Sequence, residues 1–307
     1  MNDHEKEIIK NLERCGASGY RHDQIFEDWL DLVKVSLEAL PRHLASASKG
    51  EPLTDTPEVQ EFWSKIMSRY KGKEYLAYFG NAFGALLLAS ADGWGDTIGD
   101  VYMQFAYPNS GTGQFFTSWN IAVCMAEMTM MDTEKLAHDR VKEALAKTPI
   151  GQAILLASLT VQDPGEVKRL FYEKVVPAAL PFIEPITVMD PCVGSGVMLL
   201  AAASMCPRWV IDFGIIQFYG VDIDPTCVKM TQVNLMLYGL NGFGVKCASA
   251  LTPDQLEKLP ENYAVAYTEV QELTAAGETE KVEQIAFDLR RNQYNFFNAF
   301  QTEEVEK

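Results

Sequence analysis

The 307-residue sequence lacks any apolar run that approaches the roughly 18 residues needed to span a membrane. It also lacks an apolar leader, because residues 1–15 are charged from the start. Its six cysteines lie far apart and form no CxxC pair, so we expect neither a disulfide framework nor a metal site. These absences predict a protein of the reducing cytoplasm with no membrane association.

Basic charge is also scarce. The chain carries 26 Lys and Arg residues against 42 acidic residues, a formal net charge of -16, and its basic residues form no cluster beyond pairs such as Arg290 and Arg291. A protein that holds nucleic acid by itself usually presents a basic face to the phosphates. If the substrate is DNA, we expect a partner to bring it.

The first hundred residues are predicted to be helical. Apolar residues recur at three- and four-residue spacings over 2–14 and 22–39, and helical patterns resume from Val59 to Ser90. Pro41 is expected to end the second helix, and a polar linker is expected from Ala45 to Pro57. We therefore predict a helical N-terminal subdomain over 1–108.

Residues 109–307 are predicted to form an α/β domain with an acidic, partly helical tail. Buried parallel strands are expected at 186–189, 215–221 and 245–248, with helices at 197–205 and 225–237 between them. Further helices are expected at 119–131, 133–147 and 164–180. Strands and helices that alternate in this way indicate a doubly wound parallel sheet.

The first strand leads into the turn Asp190-Pro191-Cys192-Val193-Gly194-Ser195-Gly196. Such a turn is expected to leave backbone N–H groups unpaired, and Gly194 and Gly196 allow a ligand to approach the main chain. Asp190 is placed to accept a hydrogen bond from a ligand ammonium, whereas a dinucleotide pyrophosphate would be repelled. A purely structural glycine turn is the alternative for this motif taken alone.

A second acidic turn, Asp222-Ile223-Asp224-Pro225, follows the next strand about thirty residues later. Asp222 comes directly off the strand, where Rossmann-like folds hold adenosine ribose hydroxyls. Taken alone, Asp-Pro after a strand is a common helix start. The order and spacing of the two turns together favour a ligand site.

Three segments resemble the N6-adenine DNA methylase family, in particular the modification subunits of type I restriction systems. They are DTIGDVYMQFAYPNSGTGQFFTS, DPCVGSGVMLLAA and GVDIDPTCVKMTQVNLMLYG, and the resemblance runs from about Asp96 to Ser249. It implies a Rossmann-like S-adenosylmethionine-dependent methyltransferase sheet preceded by a helical subdomain, with S-adenosyl-L-methionine as the cofactor.

The resemblance also implies which residues hold the cofactor. The turn holds the methionine part, the second acidic turn holds ribose and adenine, the GQFFT segment packs beside them, and a serine stands where the family has an acid near the adenine amine. The implied cofactor-binding residues are Gln114, Phe115, Phe116, Thr117, Asp190, Pro191, Gly194, Ser195, Gly196, Asp222, Ile223 and Ser249. For Phe115 and Phe116 the alternative is an aromatic pair that plugs a helix end into the core.

The sequence departs from the family at the catalytic motif, an Asn or Asp followed by two prolines and an aromatic residue. No Pro-Pro pair occurs anywhere in the chain, and the strand expected at 261–267, with Asn262 and Tyr263, does not reproduce the motif. The tail has a helical pattern at 279–300. The catalytic residues therefore stay unassigned.

Three hypotheses follow. The first is an adenine-specific DNA methyltransferase subunit that is active in an assembly with a specificity or modification subunit. The second is an inactive or truncated relative that serves as a binding or regulatory module. The third, a methyltransferase for a small molecule or a protein, explains the acidic charge but leaves the segment upstream of the sheet unexplained.

Overall fold

The computed structural model describes residues 2–106, 116–240 and 248–251, and this part of the chain is mostly helical with a small parallel sheet. The predicted strand at 261–267 and the predicted helix at 279–300 lie outside the described residues. The α-helices are α1 (Asp3–Cys15), α2 (His22–Ser48), α3 (Pro57–Met67), α4 (Lys73–Asp92), α5 (Thr97–Val101), α6 (Trp119–Met130), α7 (Thr133–Ala146), α8 (Pro149–Ser158), α9 (Pro164–Leu170), α10 (Val176–Ala179), α11 (Val197–Ser204), α12 (Arg208–Asp212) and α13 (Pro225–Leu237).

The helical prediction for the first hundred residues is confirmed, with two corrections: α2 runs to Ser48, so the linker expected from Ala45 begins only after that residue, and Pro41 does not end the helix. Pro41 lies inside α2. Proline removes one backbone hydrogen bond from a helix interior. The helix continues past this point because Leu37 and Ala39 are buried before Pro41, and Arg42 after it contacts Asp55 at 3.2 Å.

The sheet has three parallel strands in the order β1 (Ile186–Asp190), β2 (Ile216–Val221) and β3 (Ala248–Leu251). In register, Asp190 pairs with Gly220, and Tyr219 pairs with Ser249. The first two strands match their predicted bounds within a residue. The third was expected at 245–248 but begins at Ala248, and residues 245–247 lie outside the described part.

Strand β1 was expected to be fully buried, and the structure shows that it is not. Burial alternates along the strand, with Thr187 and Met189 exposed and Val188 half-buried. Within the described sheet, β1 pairs with β2 alone. The exposed residues show that one face of β1 is open to solvent, so an apolar run by itself does not establish that both faces of a strand are covered.

Three short helices were not predicted from the sequence: α5, α8 and α12. Helix α8 begins at Pro149, whose fixed backbone angle suits the first turn, and the Thr148 side chain accepts a hydrogen bond from Gly151 N at 3.0 Å. Single turns of π-helix also occur, at Tyr102–Ala106 and Phe171–Val175. The second of these lies inside the segment predicted as one helix, 164–180.

The N-terminal helices share a core with helix α13. Cys227, Met230 and Val233 of α13 belong to the same buried cluster as Phe26 and Trp29 of α2. An ion pair between Lys229 and Asp31 and a hydrogen bond from Thr226 to Glu27 at 3.3 Å also join these two helices. The domain boundary near residue 108 stays a prediction.

None of the described helices is long enough and apolar enough to cross a membrane. In the same part of the chain, no group of three or more His, Cys, Asp and Glu side chains is arranged to hold a metal ion.

Candidate functional site

The glycine turn leads directly from β1 into α11. Gly194 and Gly196 have φ values of 55° and 92°, in the left-handed region that residues with a Cβ rarely adopt. Helix α11 then begins without a side-chain cap on its first N–H groups. The glycines are therefore required by the shape of the turn itself, as well as by any ligand that approaches it.

The backbone N–H groups of the turn are largely paired inside the molecule. Cys192 N donates to the Asp190 carboxylate at 3.0 Å, and Gly194 N donates to Asp222 Oδ2 at 2.9 Å. Val193 N and Gly196 N donate to backbone carbonyls at 3.0 and 2.8 Å. The prediction of unpaired N–H groups is wrong for these four, because the turn folds back on the end of β2 and on its own acids.

The inner side of the turn is held by polar side chains of α13. Thr231 Oγ1 donates to the carbonyl of Gly194 at 2.9 Å, and Asn234 Nδ2 donates to the carbonyl of Ser195 at 2.8 Å. Both side chains are buried, with exposed fractions of 0% and 1%. A buried donor without an acceptor raises the free energy of the folded state, so these contacts favour one position for the turn.

The two acids come together at one edge of the sheet. Asp190 ends β1 opposite Gly220, and Asp222 comes immediately after β2, so both carboxylates follow the carboxyl ends of neighbouring parallel strands. Both residues are half-buried. Asp222 also accepts a hydrogen bond from Asp224 N at 2.9 Å, which fixes its side chain at the mouth of the turn.

Phe116 is brought to the turn from outside the sheet region. A Cβ at Gly194 would lie 3.3 Å from the Phe116 ring, which stacks on Tyr102 with centroids 5.5 Å apart. The ring is half-buried and also packs against the N-terminal core. Thr117 is exposed, while Gln114 and Phe115 lie outside the described residues.

The remaining predicted residues differ in their exposure. Ile223 is 83% exposed, and Pro191 is exposed, so both form an outer rim. Ser195 is fully buried, and its hydroxyl donates to Asp96 inside the protein. The sequence predicted Ser249 after the third strand, but it lies within β3, which the structure describes over Ala248–Leu251.

Asp96, Thr231 and Asn234 were missed as site residues. A signal was present: Asp96 opens the first of the three segments that carry the resemblance, and Thr231 and Asn234 lie three residues apart in α13. Polar residues at this spacing on a helix share a face. Among the apolar side chains that α13 buries, such a pair indicates a hydrogen-bonding task inside the protein.

Cys227 lies near the second acidic turn, on α13. Burial, and to a lesser extent Asp222 and Asp224, raises the pKa of the Cys227 thiol well above its usual range, so this side chain stays protonated. A cavity of about 390 Å³ lies elsewhere, between α7, α8 and α9, where His138, Lys142 and Phe171 are among its lining residues. None of the predicted site residues lines it.

These features define a class: parallel α/β proteins in which two successive strands end in a glycine turn and an acid at one sheet edge. Residues 164–268, about a third of the chain, match the model of the N-6 DNA Methylase family. The match confirms the resemblance to the N6-adenine DNA methylases over this segment and supports a function like that of a DNA methyltransferase. It covers both turns and all three strands but not the GQFFT segment. No curated protein sequence matches the chain.

Proposed function

We propose that the chain binds S-adenosylmethionine at the glycine turn and Asp222, on a Rossmann-like sheet of domain 109–307 behind the helical subdomain 1–108. It would act as an adenine-N6 DNA methyltransferase subunit within a larger assembly. One observation carries the proposal: Gly194 N donates to Asp222 at 2.9 Å inside the family-matched segment, so the two turns form one site.

The residues present fit this cofactor. Each carboxylate can accept about four hydrogen bonds, so Asp190 and Asp222 retain acceptor capacity for an ammonium and for ribose hydroxyls. Gly194 presents no Cβ toward Phe116, and Ile223 offers an exposed apolar side chain beside Asp222. A pyrophosphate would instead meet two negative charges, which argues against a dinucleotide.

The chain's own residues bind and orient in this proposal. Asp190 would hold the ammonium and Asp222 the ribose hydroxyls, while Phe116 would exclude water from the turn. When bound, the cofactor would supply a methyl group to the adenine amine nitrogen; the thioether S-adenosylhomocysteine would be the leaving group, and the proton lost from nitrogen would pass to solvent. An exocyclic amine is a poor nucleophile and needs acceptors and a stacking ring around a flipped base.

A larger assembly is proposed for two reasons. The chain has no Pro-Pro pair to form the family's catalytic motif, and its net charge of -16 opposes DNA binding without a basic partner. A specificity or modification subunit would supply the catalytic motif and the basic surface for DNA. The second candidate, a catalytically inactive binding or regulatory module, is favoured by the same missing motif and needs no partner chemistry.

Calorimetric titration with S-adenosylmethionine tests the pocket. We expect the wild-type chain to bind, and Asp190→Ala to bind roughly tenfold more weakly because a charged hydrogen bond to the ammonium is lost. Asp139→Ala is the matched control, since Asp139 is an exposed acid on α7. Equal affinities for wild type and Asp190→Ala would overturn the assignment of the site.

Methyl transfer separates the two candidates. The chain is incubated with isotopically labelled S-adenosylmethionine and unmethylated plasmid DNA, alone and with the products of neighbouring genes, and the DNA is digested to nucleosides. We expect label in N6-methyladenine only when a partner is present. Label with the isolated chain would contradict the need for an assembly, and no label under any condition would favour the inactive module.

A further inference from the structure

Asp96 is a buried acid that touches the glycine turn from a distant part of the chain. It lies just before α5, and its side chain is almost inaccessible, with 5% of the residue exposed. The Ser195 hydroxyl donates to Asp96 Oδ2. Asn234 Nδ2 and Gly99 N donate to Oδ1 at 3.0 and 3.1 Å.

These contacts form a closed network around Ser195. Asn234 donates both to Asp96 and to the Ser195 carbonyl, the latter at 2.8 Å, while Asp96 accepts from the Ser195 hydroxyl. Ser195 is therefore held through its side chain and its main chain by two partners that also hold each other. Fully satisfied buried networks of this kind specify a single local conformation.

The position of Ser195 determines the position of the whole turn. It stands between Gly194 and Gly196, the two glycines of the turn, whose φ values are positive. Glycine loses more conformational freedom on folding than any other residue. A rotation of Ser195 would redirect the backbone on both sides of it. Gly99 keeps the approach open, because a Cβ there would collide with the Asp96 carboxylate and the Ser195 hydroxyl.

Burial of the Asp96 carboxyl opposes its ionisation. Desolvation raises the pKa of the Asp96 carboxyl, and the hydrogen bonds from Ser195, Gly99 and Asn234 oppose that increase. Among the described residues, the groups that donate to this carboxylate are neutral. A buried carboxylate with neutral donors alone is poor at stabilising a fold, so a role in shaping the turn is the better explanation.

The loop that carries Asp96 has a second, independent anchor. Tyr238, just after α13, receives a hydrogen bond from Gly95 N at 3.0 Å and lies 2.9 Å from the carbonyl of the same residue. Its ring stacks on Trp94 with centroids 4.7 Å apart. The hydroxyl and the ring of Tyr238 thus hold the segment that precedes Asp96, through contacts other than those that hold Ser195.

We propose that Asp96 is a positioning residue for methyl-donor binding: through Ser195 and Asn234 it holds the glycine turn in the shape that receives the cofactor. The inference rests on the proposed function of the turn. It also means that the N-terminal segment helps to shape the site, because Asp96 accepts a hydrogen bond from Ser195, 99 residues later in the sequence.

The test compares affinity with stability in the full chain. S-adenosylmethionine is titrated calorimetrically into wild type, Asp96→Ala, Ser195→Ala, the double variant and Tyr238→Phe, and each is also unfolded in urea. We expect Asp96→Ala to weaken binding roughly tenfold or more, because Ser195, Asn234 and Gly99 lose their buried acceptor. The double variant should bind no more weakly than the single variant that binds more weakly. Tyr238→Phe should lower stability yet bind within about twofold of wild type.

Conservative replacement gives a readout that a merely structural role would not produce. Asp96→Asn keeps an oxygen for Asn234 and Gly99, and its amide can donate to the Ser195 oxygen, so we expect binding within about threefold of wild type. If Asp96→Ala does not fold, Ser195→Ala and Asp96→Asn still decide the question. Wild-type affinity in Ser195→Ala would overturn the inference.

The outcomes distinguish this inference from the function on which it rests. If wild type binds and the Asp96 and Ser195 variants bind equally well, the positioning role is wrong and the proposed cofactor site stands. A loss of affinity in Tyr238→Phe as large as that in Asp96→Ala would also overturn it, because any loosening of the loop would then suffice. If wild type itself does not bind, both proposals fail.

Discussion

The two sides of the glycine turn differ in almost every physical property. The inner side is buried and saturated with hydrogen bonds: Ser195, Thr231 and Asn234 are exposed by 1% or less. The outer rim is open: Pro191 is exposed, and Ile223 is exposed by 83%. The buried side chains therefore fix the shape of the turn, whereas the exposed ones are free to contact a ligand. Substitutions on the inner side should mainly lower the free energy of unfolding, and substitutions on the rim should mainly lower the affinity for the cofactor.

Gly196→Ala should break the inner side most strongly. Its φ of 92° is strained for alanine, and the new Cβ would lie 3.1 Å from Thr231 Cγ2. We expect a loss of about 2 kcal/mol in the free energy of unfolding, measured in urea. Gly84→Ala is the matched control, because Gly84 lies in α4 with open space around it, and alanine there should stabilise by up to about 1 kcal/mol. Equal effects would contradict the comparison.

Asp222→Ala probes the junction between the two sides. It removes the acceptor for Gly194 N and Asp224 N, so we expect about 1 kcal/mol less stability together with weaker cofactor binding. Asp222→Asn keeps one amide oxygen and should recover part of the stability. Urea unfolding and calorimetry on the same preparations measure both. A change in affinity without any change in stability would place Asp222 wholly on the rim.

Asp100→Asn tests the electrostatics beside the buried acid Asp96. Partial desolvation of the Asp100 carboxyl, with smaller contributions from Asp96 and Glu5, raises its pKa to about 6 although the residue is largely exposed to solvent. A raised folded-state pKa means that ionisation opposes folding as the pH rises from about 4 through 6. Because the side chain is exposed, we expect Asn to stabilise by less than about 1 kcal/mol at pH 7.

The control for this prediction is the pH itself. Below about pH 3 the Asp100 carboxyl is mostly protonated in both the folded and the unfolded states, so wild type and Asp100→Asn should unfold at the same urea concentration. A stability gain that persists unchanged at low pH would show that charge is not its cause.

Ile223→Ala should have the smallest effect on the protein. A side chain exposed by 83% contributes little to the core, so stability should stay within about 0.5 kcal/mol. Affinity for S-adenosylmethionine should fall about twofold to threefold if the side chain covers the adenine. Urea unfolding and calorimetry measure the two quantities. A stability loss above that of Asp222→Ala would mean that the rim is part of the scaffold.

Sequence patterns were most accurate where local signals agreed. The first strand, α11, β2 and α13 match their predicted bounds within a residue, because apolar runs, glycines and Pro225 all mark the same ends. Prediction failed where packing overrides a local rule. Pro41 does not end α2, β1 is only half-buried and on alternate residues, and four N–H groups of the turn are paired.

The sequence by itself determined the alternation of strands and helices, the glycines of the turn, the two strand-end acids and the missing Pro-Pro motif. These follow from local chemistry, since backbone freedom and apolar periodicity depend on neighbours along the chain. Only the tertiary structure decided that Asp96 reaches Ser195 and that Asp222 accepts from Gly194. Those contacts join residues 99 and 28 positions apart, and no periodic pattern encodes which distant donor a buried carboxylate will find.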